Sequence, residues 1–193
     1  MQADSVKNII VVAASKFFSH FGFHKTTMDE IAKKIHKAKG ALYYYFRSKE
    51  ELYNEVLKQE LDSVKSQLRE ITRKGNNPVE TLEDYVKLRL ELLSKAKNYH
   101  ETLKADFTER YSFVDDVRKN FDEFERSQFI YILSIGKEKG FLKISDIDST
   151  SNLILILLKS LDITLFLQDK YEDYNKTIDE LISLLSSGLK KKP

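Results

Sequence analysis

Apolar side chains recur along most of the chain at intervals of three and four residues, the spacing that places them on one face of an α-helix. Near the N-terminus, Val6, Ile9, Ala13 and Phe17 follow this spacing, and Gly22 supplies a stop signal. Along the whole chain, the pattern predicts nine helices, at about residues 4–21, 28–35, 39–46, 49–72, 79–97, 100–110, 115–138, 149–168 and 174–189. The sequence therefore predicts an all-α fold.

Helix boundaries in the first half of the chain are marked by residues that start or break helices. Thr27 precedes Glu30 by three positions, and Ser48 precedes Glu51 by three, so each pair is predicted to form a capping box. Residues 75–78, Gly-Asn-Asn-Pro, form a strong breaker cluster that should end one long helix and begin the next. These signals predict an N-terminal helical domain over residues 1–48, a connecting helix over 49–75 and a C-terminal domain over 76–193.

The short helix predicted over residues 39–46 has two different faces. Leu42 and Phe46 lie four positions apart and share one side, which we expect to be buried. The residues left on the other side are Lys39, Gly40, Tyr43 and Tyr44. Two aromatic side chains and a lysine directed toward water suggest a binding surface. A three-helix unit with a short turn before its third helix is also the plan of helix-turn-helix DNA-binding domains.

Composition narrows the chemistry that is open to the chain. The absence of cysteine excludes disulfides, thiolate zinc sites, iron–sulfur clusters and cysteine nucleophiles, and it suits a reducing compartment. The 2 prolines and 6 glycines leave little turn chemistry for a β-rich fold. With 32 basic and 30 acidic residues the chain is nearly neutral, but residues 1–50 hold nine basic against four acidic residues. This excess suggests a polyanionic partner, although a solvated lysine-rich surface would give the same count.

Motifs for catalysis are incomplete. His20 and His24 have the spacing of a zinc-protease helix, but Phe21 stands where the glutamate base belongs. Ser134 lacks the preceding glycine of a nucleophile elbow, and the chain has no glycine-rich phosphate loop. The sequence therefore predicts no catalytic residue, no metal site and no cofactor.

Two apolar stretches do not meet the criteria for a signal peptide or a membrane-spanning helix. The apolar run over residues 9–14 is too short for the core of a signal peptide. The apolar stretch over residues 153–167 is interrupted by Lys159 and Asp162 and is shorter than the roughly 20 residues that cross a bilayer. We therefore expect a cytoplasmic protein that does not associate with a membrane.

A series of ordered motifs near the N-terminus carries a family resemblance. These motifs are Ala13-Ala14, Phe17-Phe18, Gly22-Phe23, Thr26-Thr27, Ile31-Ala32, Lys39-Gly40-Ala41-Leu42-Tyr43-Tyr44-Tyr45-Phe46 and Ser48-Lys49-Glu50-Glu51-Leu52. Over about residues 9–57 the chain resembles TetR-family transcriptional regulators. The resemblance implies that the residues approaching bases or backbone in the major groove are Lys39, Gly40, Ala41, Tyr43 and Tyr44. It implies that the residues holding phosphates are Thr27, Tyr45 and Lys49. Packing of the tyrosines in the core is the alternative.

The turn before the third helix departs from the family pattern. The chain has His36, Lys37 and Ala38 where the family usually has a glycine, an aliphatic residue and a small hydroxyl residue. Ala38 offers no side-chain oxygen to cap the helix, a loss of about 1 kcal/mol. His36 must adopt or avoid a turn conformation that glycine accepts freely.

The resemblance also implies a C-terminal domain that dimerises and binds a small molecule. Two apolar stripes near the chain end are predicted to form the homodimer interface, namely Ile154, Leu157, Leu161, Leu165, Ile178, Leu181, Ile182 and Leu185. Aromatic and polar residues of the predicted second domain are candidates for the effector pocket, namely Tyr85, His100, Phe107, Tyr111, Phe124, Gln128 and Tyr131. The effector would then be largely apolar or aromatic.

These observations favour one function over two alternatives. The chain is interpreted as a dimeric, ligand-responsive regulator, most simply a repressor released from a palindromic operator by its effector. The first alternative is a nonspecific or architectural DNA-binding protein without an effector. The second is a helical protein-interaction module, for which the exposed face of the third helix would have no role in DNA binding.

Overall fold

The structure, a computed structural model, describes residues 2–168 and 171–191, without the side chains of residues 2–4. The described part contains nine α-helices and no β-strand, so the predicted all-α fold is confirmed. The helices are α1 (Gln2–Lys25), α2 (Met28–Lys34), α3 (Lys39–Tyr45), α4 (Lys49–Lys74), α5 (Pro78–Ser94), α6 (Lys97–Thr108), α7 (Asp115–Glu138), α8 (Ile147–Asp162) and α9 (Asn175–Leu189). A short 3-10 turn precedes α7, and a π-helical turn, Ile163–Leu167, follows α8 directly.

The residues of α1 include a break at Gly22, where the sequence predicts the first helix to end. Gly22 has φ 81° and ψ 169°, a combination open mainly to glycine. A Cβ at this position would also lie 2.8 Å from Oε1 of Glu101 in α6. The same oxygen accepts a hydrogen bond from the backbone N–H of Phe23 at 3.3 Å. Glycine is thus required by the backbone, and a side chain there would displace the Glu101 carboxylate from its bond with Phe23.

Packing groups the helices into two compact units that differ from the predicted domains. The first unit comprises the residues up to Asp62 together with Ala96–Val117, and the second comprises Ser63–Lys95 and the residues from Arg118 onward. The division falls inside α4 and assigns α6 to the first unit, whereas the breaker cluster suggested a boundary near residue 76. The three functional segments inferred from the sequence remain a prediction.

In the first unit, a carboxylate from α4 caps the start of α6. The residue before α6 is Ala96, which has no side chain that could accept a hydrogen bond. Glu60 takes this role, because its Oε2 accepts the N–H of Tyr99 at 2.8 Å and its Oε1 accepts the N–H of Asn98 at 3.3 Å. Burial raises the pKa of Glu60, and the hydrogen bonds oppose that rise. Glu60 therefore ties α6 to α4.

In the second unit, a fully buried ion cluster joins α5, α7 and α8. The guanidinium of Arg89 donates to Glu125 through Nε at 2.6 Å and to Asp162 through Nη1 at 2.7 Å, and its Nη2 reaches both carboxylates. Burial opposes the charge of Arg89, yet the two carboxylates hold its pKa well above the usual value. Burial, with the nearby Asp162, raises the pKa of Glu125.

The stretch Ile147–Leu167 is long and apolar enough to cross a membrane by length and composition. That test is weak, because core helices of soluble proteins also pass it. Its three charged residues have partners within the unit, since Asp162 binds Arg89, Lys159 pairs with Asp122 and Asp148 pairs with Arg126. These ion pairs favour a helix packed against its own unit, as the sequence predicts.

We expect Arg89→Met to lower the free energy of unfolding by about 3–5 kcal/mol, because Glu125 and Asp162 would stay buried without a counter-charge. The measurement is urea unfolding followed by circular dichroism. The matched control is Arg126→Met, which removes a part-exposed pair with Asp148 on α7 and α8 and should cost within about 1 kcal/mol. Equal losses for the two variants would contradict a stabilising role of the buried cluster.

Candidate nucleic-acid interface

The start of α2 is fixed by the capping box that the sequence predicts. The backbone N–H of Glu30 donates to Oγ1 of Thr27 at 3.3 Å, and the N–H of Thr27 donates to Oε2 of Glu30 at 2.9 Å. The Thr27 hydroxyl also donates to the same carboxylate at 2.7 Å. Thr27 is exposed, but its hydroxyl is already used inside the chain.

The second predicted capping box is only half formed. The N–H of Glu51 donates to Oγ of Ser48 at 3.2 Å, as expected. The Glu51 carboxylate, however, accepts the N–H of Arg47 at 2.7 Å instead of the N–H of Ser48. The start of α4 is therefore capped, with the reciprocal bond moved back by one residue.

The turn between α2 and α3 accommodates its unusual residues by a specific hydrogen-bond pattern. His36 has φ 53°, the left-handed conformation that the sequence analysis associated with glycine at this place. Its N–H donates to the carbonyl of Lys33 at 3.1 Å, and the N–H of Lys37 donates to the carbonyl of Ala32 at 3.0 Å. These two bonds are those of a Schellman motif, so α2 ends in the usual way with histidine in the glycine position.

The start of α3 lacks a side-chain cap, as the sequence predicts from Ala38. The helix is held instead by its inward face, where Leu42 and Phe46 are almost completely buried. The helices α2 and α3 pack against each other within the first unit. Burial of these two side chains fixes which face of α3 is left for a partner.

The outward face of α3 is the one predicted to meet DNA. Tyr44 is 83% exposed and Tyr43 is 43% exposed, so the alternative that both tyrosines belong to the core is wrong for these two residues. Lys39 and Gly40 are exposed as well, while Ala41 and Tyr45 are half-buried. The ammonium of Lys39 lies 6.0 Å from the centre of the Tyr43 ring, and the rings of Tyr44 and Tyr45 are 5.0 Å apart.

Gly40 has no structural requirement within its own unit. A Cβ built at this position would have no other atom within 4 Å, and its φ is not in the left-handed region. The fold would therefore accept a larger residue. Absence of a side chain at this outward position fits close approach by an external partner.

Lys49 differs from the other predicted DNA contacts because its ammonium is bound within the chain. Its Nζ donates to the carbonyl oxygens of Phe23 at 2.8 Å and Thr26 at 3.1 Å. The ammonium also lies 4.2 Å from the centre of the Phe23 ring. Burial lowers the pKa of Lys49. One of its three donors is left for a phosphate, and that role stays a prediction.

The predicted dimer residues lie in α8, in the π-helical turn that follows it and in α9. Some of them face the interior of the unit, and others face solvent. Four of them are buried within the chain and offer little surface to a partner, namely Ile154, Leu165, Ile178 and Ile182. Leu157 is exposed, and the half-buried ones are Leu161, Leu181 and Leu185. The exposed apolar residues that periodicity did not select are Leu153, Ile156, Ile163 and Leu184.

The predicted effector residues are divided between the two units. The first unit contains His100 and Tyr111, both buried, and Phe107, which is exposed on α6. The second unit contains Tyr85, buried against Phe129 with ring centres 5.0 Å apart. The remaining three lie along α7, where Phe124 and Gln128 are half-buried and Tyr131 is exposed. Of the seven, Tyr131 lines a pocket between α4, α5 and α7.

Known proteins resemble this chain at both the sequence and the fold level. Residues 10–56 match the family model for bacterial regulatory proteins, tetR family. The HTH-type transcriptional regulator YhgD of Bacillus subtilis, itself uncharacterized, is 30% identical over 158 residues, which cover 78% of this chain and 79% of YhgD. The chain belongs to the TetR family. Within it, the matched residues form the helix-turn-helix DNA-binding domain.

Two further similarities define how far this TetR-family assignment extends. The HTH-type transcriptional regulator RutR of Escherichia coli is 41% identical over 86 residues, 45% of this chain. The match spans 40% of the length of RutR. A solved transcriptional regulator from Cytophaga hutchinsonii has a TM-score of 0.80 and 25% identity, covering 95% of this chain and 98% of that one.

We expect His36→Gly to raise the free energy of unfolding by about 0.5–1 kcal/mol, because glycine removes the strain of the left-handed backbone and only part of this gain is lost to unfolded-state entropy. Lys37→Gly is the control, because Lys37 has no positive φ and glycine there should lower the free energy of unfolding. Urea unfolding of the two variants compares them directly. A His36→Gly variant no more stable than the original chain would contradict the assignment of strain to this residue.

Proposed function

We propose that this TetR-family chain is a cytoplasmic transcriptional repressor, which binds a palindromic operator as a homodimer and leaves it when a small molecule binds. One observation carries the DNA-binding part of this proposal. The face of α3 opposite Leu42 and Phe46 presents Lys39, Tyr43 and Tyr44 to solvent.

The chemistry of this face suits the major groove of DNA. Lys39 can donate to the O6 and N7 acceptors of guanine, and the methyl group of Ala41 can contact the methyl group of thymine. Tyr43 and Tyr44 can donate through their hydroxyls to phosphate or base acceptors. The basic excess of residues 1–50 adds a sequence-independent attraction to the DNA backbone.

A homodimer would explain why apolar side chains remain exposed in the second unit. Leu153, Ile156 and Leu157 lie on one side of α8 and are exposed, and Leu184 is exposed on α9. To read two half-sites on one side of B-DNA, a twofold dimer must hold its two copies of α3 about 34 Å apart, one turn of the duplex. The operator would then be an inverted repeat.

The family resemblance supports the proposal of effector release. A small molecule that binds one state of the second unit more tightly than the other would shift the dimer away from its operator-bound state. No cofactor or catalytic step is needed for this function.

The DNA-binding proposal is tested by selecting bound sequences from a random duplex pool. We expect an inverted repeat to be enriched, and Tyr44→Ala to weaken binding to that repeat by about 1–3 kcal/mol, roughly five- to 150-fold at fixed salt. Phe141→Ala is the control, because it removes an exposed aromatic side chain outside the DNA-binding domain and outside the proposed pocket. Binding without an enriched repeat would favour the nonspecific alternative. An unchanged affinity of Tyr44→Ala for the repeat would contradict the proposed interface.

The dimer proposal predicts that Ile156→Glu produces a monomer. Ile156 is 62% exposed on α8, and a carboxylate there would be buried without a partner in the interface. Sedimentation velocity of the full chain should show a dimer for the original sequence and dissociation for the variant. Phe107→Glu, an equally exposed position on α6, should remain dimeric. A monomeric original chain, or a dimeric Ile156→Glu, would rule out this interface.

A further inference from the structure

The second unit contains a pocket of about 130 Å³ that the sequence analysis did not identify. Its walls come from the last turn of α4, the turn that follows, the first turn of α5 and the C-terminal part of α7. Arg73 and Lys139 supply two cationic side chains to the lining. Pro78, Ile132 and Ile135 supply apolar surface, and Tyr131 supplies a ring with a hydroxyl. None of the lining residues is acidic.

The two cations leave a net positive charge at the pocket. Arg73 shares the carboxylate of Glu70, to which it donates through Nε at 3.2 Å and Nη2 at 2.9 Å. The same carboxylate also pairs with Lys74 at 3.1 Å, so one negative charge serves two positive ones. Hydrogen bonds from Arg73 and Lys74 lower the pKa of Glu70 to about 2. The ammonium of Lys139 has no ion-pair partner in the part of the chain that the structure describes.

One wall of the pocket is held rigidly by the turn between α4 and α5. Oγ1 of Thr81 donates to the carbonyl of Asn77 at 2.7 Å, and Oδ1 of Asn77 accepts the N–H of Val79 at 3.0 Å. A Cβ at Gly75 would overlap Oγ1 of Thr81, so the turn is closed tightly around a glycine. The pocket is therefore preformed on this side, which reduces the ordering cost of binding.

The size of the pocket restricts what it can hold. Its volume of about 130 Å³ lies below the range of about 300–1,000 Å³ for drug-sized ligands. A single charged group with a small apolar body would fill it. A negative charge fits best, because the lining holds two cations and no carboxylate.

We propose that this pocket binds the carboxylate end of an organic acid. Arg73 and Lys139 act as charge partners for the carboxylate, and Ile135 with Tyr131 contacts the adjoining apolar part. The acid is either a small aromatic one or the end of a longer aliphatic chain. Binding to the pocket stands independently, whereas a role of the acid as effector rests on the proposed function.

Binding is tested by titrating the full chain with benzoate, octanoate, benzamide and inorganic phosphate. Isothermal calorimetry measures the heat of binding, and nuclear magnetic resonance measures the shifts of the protein signals. We expect at least one of the two carboxylates to bind with a dissociation constant of about 1 mM or tighter. Benzoate binding alone would identify a small aromatic acid, and octanoate binding alone would identify a longer chain. Benzamide, the uncharged analogue of benzoate, and phosphate, which lacks an apolar part, should bind at least about tenfold more weakly.

Two variants locate the site. Lys139→Gln should weaken binding of the carboxylate about fivefold, because it removes one charge from an open pocket. Lys119→Gln, an exposed lysine elsewhere on α7, should bind as the original chain does. Absence of binding by both carboxylates, equal binding of benzamide or phosphate, or an unchanged affinity in Lys139→Gln would each overturn the proposal.

Measuring operator affinity with and without the acid distinguishes binding of the acid to the pocket from its role as the effector. Release of operator DNA by the bound acid, lost in Lys139→Gln, would support the pocket as the effector site. An acid that binds the pocket without changing operator affinity would leave the binding site standing and contradict its role as the effector site. Failure of the chain to select an operator would contradict the proposed function alone, because calorimetry reports on the pocket without DNA.

Discussion

The orientation of α3 depends on the burial of two side chains. A helix of seven residues forms too few internal hydrogen bonds to be stable alone, and Ala38 gives it no side-chain cap. Its position must therefore come from packing, which Leu42 and Phe46 provide within the first unit. The same burial decides that Tyr43 and Tyr44 point outward. Stability and the proposed DNA recognition would thus use opposite faces of one short helix.

The chain uses charge in two contrasting ways in its second unit. Arg89 is fully buried between two carboxylates, so its charge is compensated inside the structure and is closed to any ligand. Lys139 and Arg73 lie at an open pocket where positive charge exceeds negative. Only the pocket with Arg73 and Lys139 can attract an anion from solution, because its excess positive charge is not neutralised within the chain.

Periodicity predicted all nine helices and the two faces of α3, because these follow from local spacing. It could not predict contacts between distant residues, such as the carboxylate of Glu60 on the start of α6, since these leave no local pattern. The position of Arg89 does leave a pattern in the sequence. Arg89 stands among apolar residues on the inward face of α5, and a charged residue there indicates a buried ion pair. The dimer interface stays a prediction for another reason. Spacing indicates that a face is apolar, but not whether that face packs against its own chain, as Ile154 does, or against a second copy.

The residues carried over from the family pattern differ in what they can still offer to DNA. The Thr27 hydroxyl is bound to Glu30, and two of the three donors of Lys49 are bound to backbone carbonyls. Contact of either group with a phosphate would compete with bonds that hold the domain together, so its net gain would be small. Tyr44 and Lys39 have no such commitment to a hydrogen bond within the described chain. Of these residues, Lys39 and Tyr44 should therefore contribute more to the proposed DNA contact than Thr27 and Lys49, whose bonds within the chain hold α3 in position.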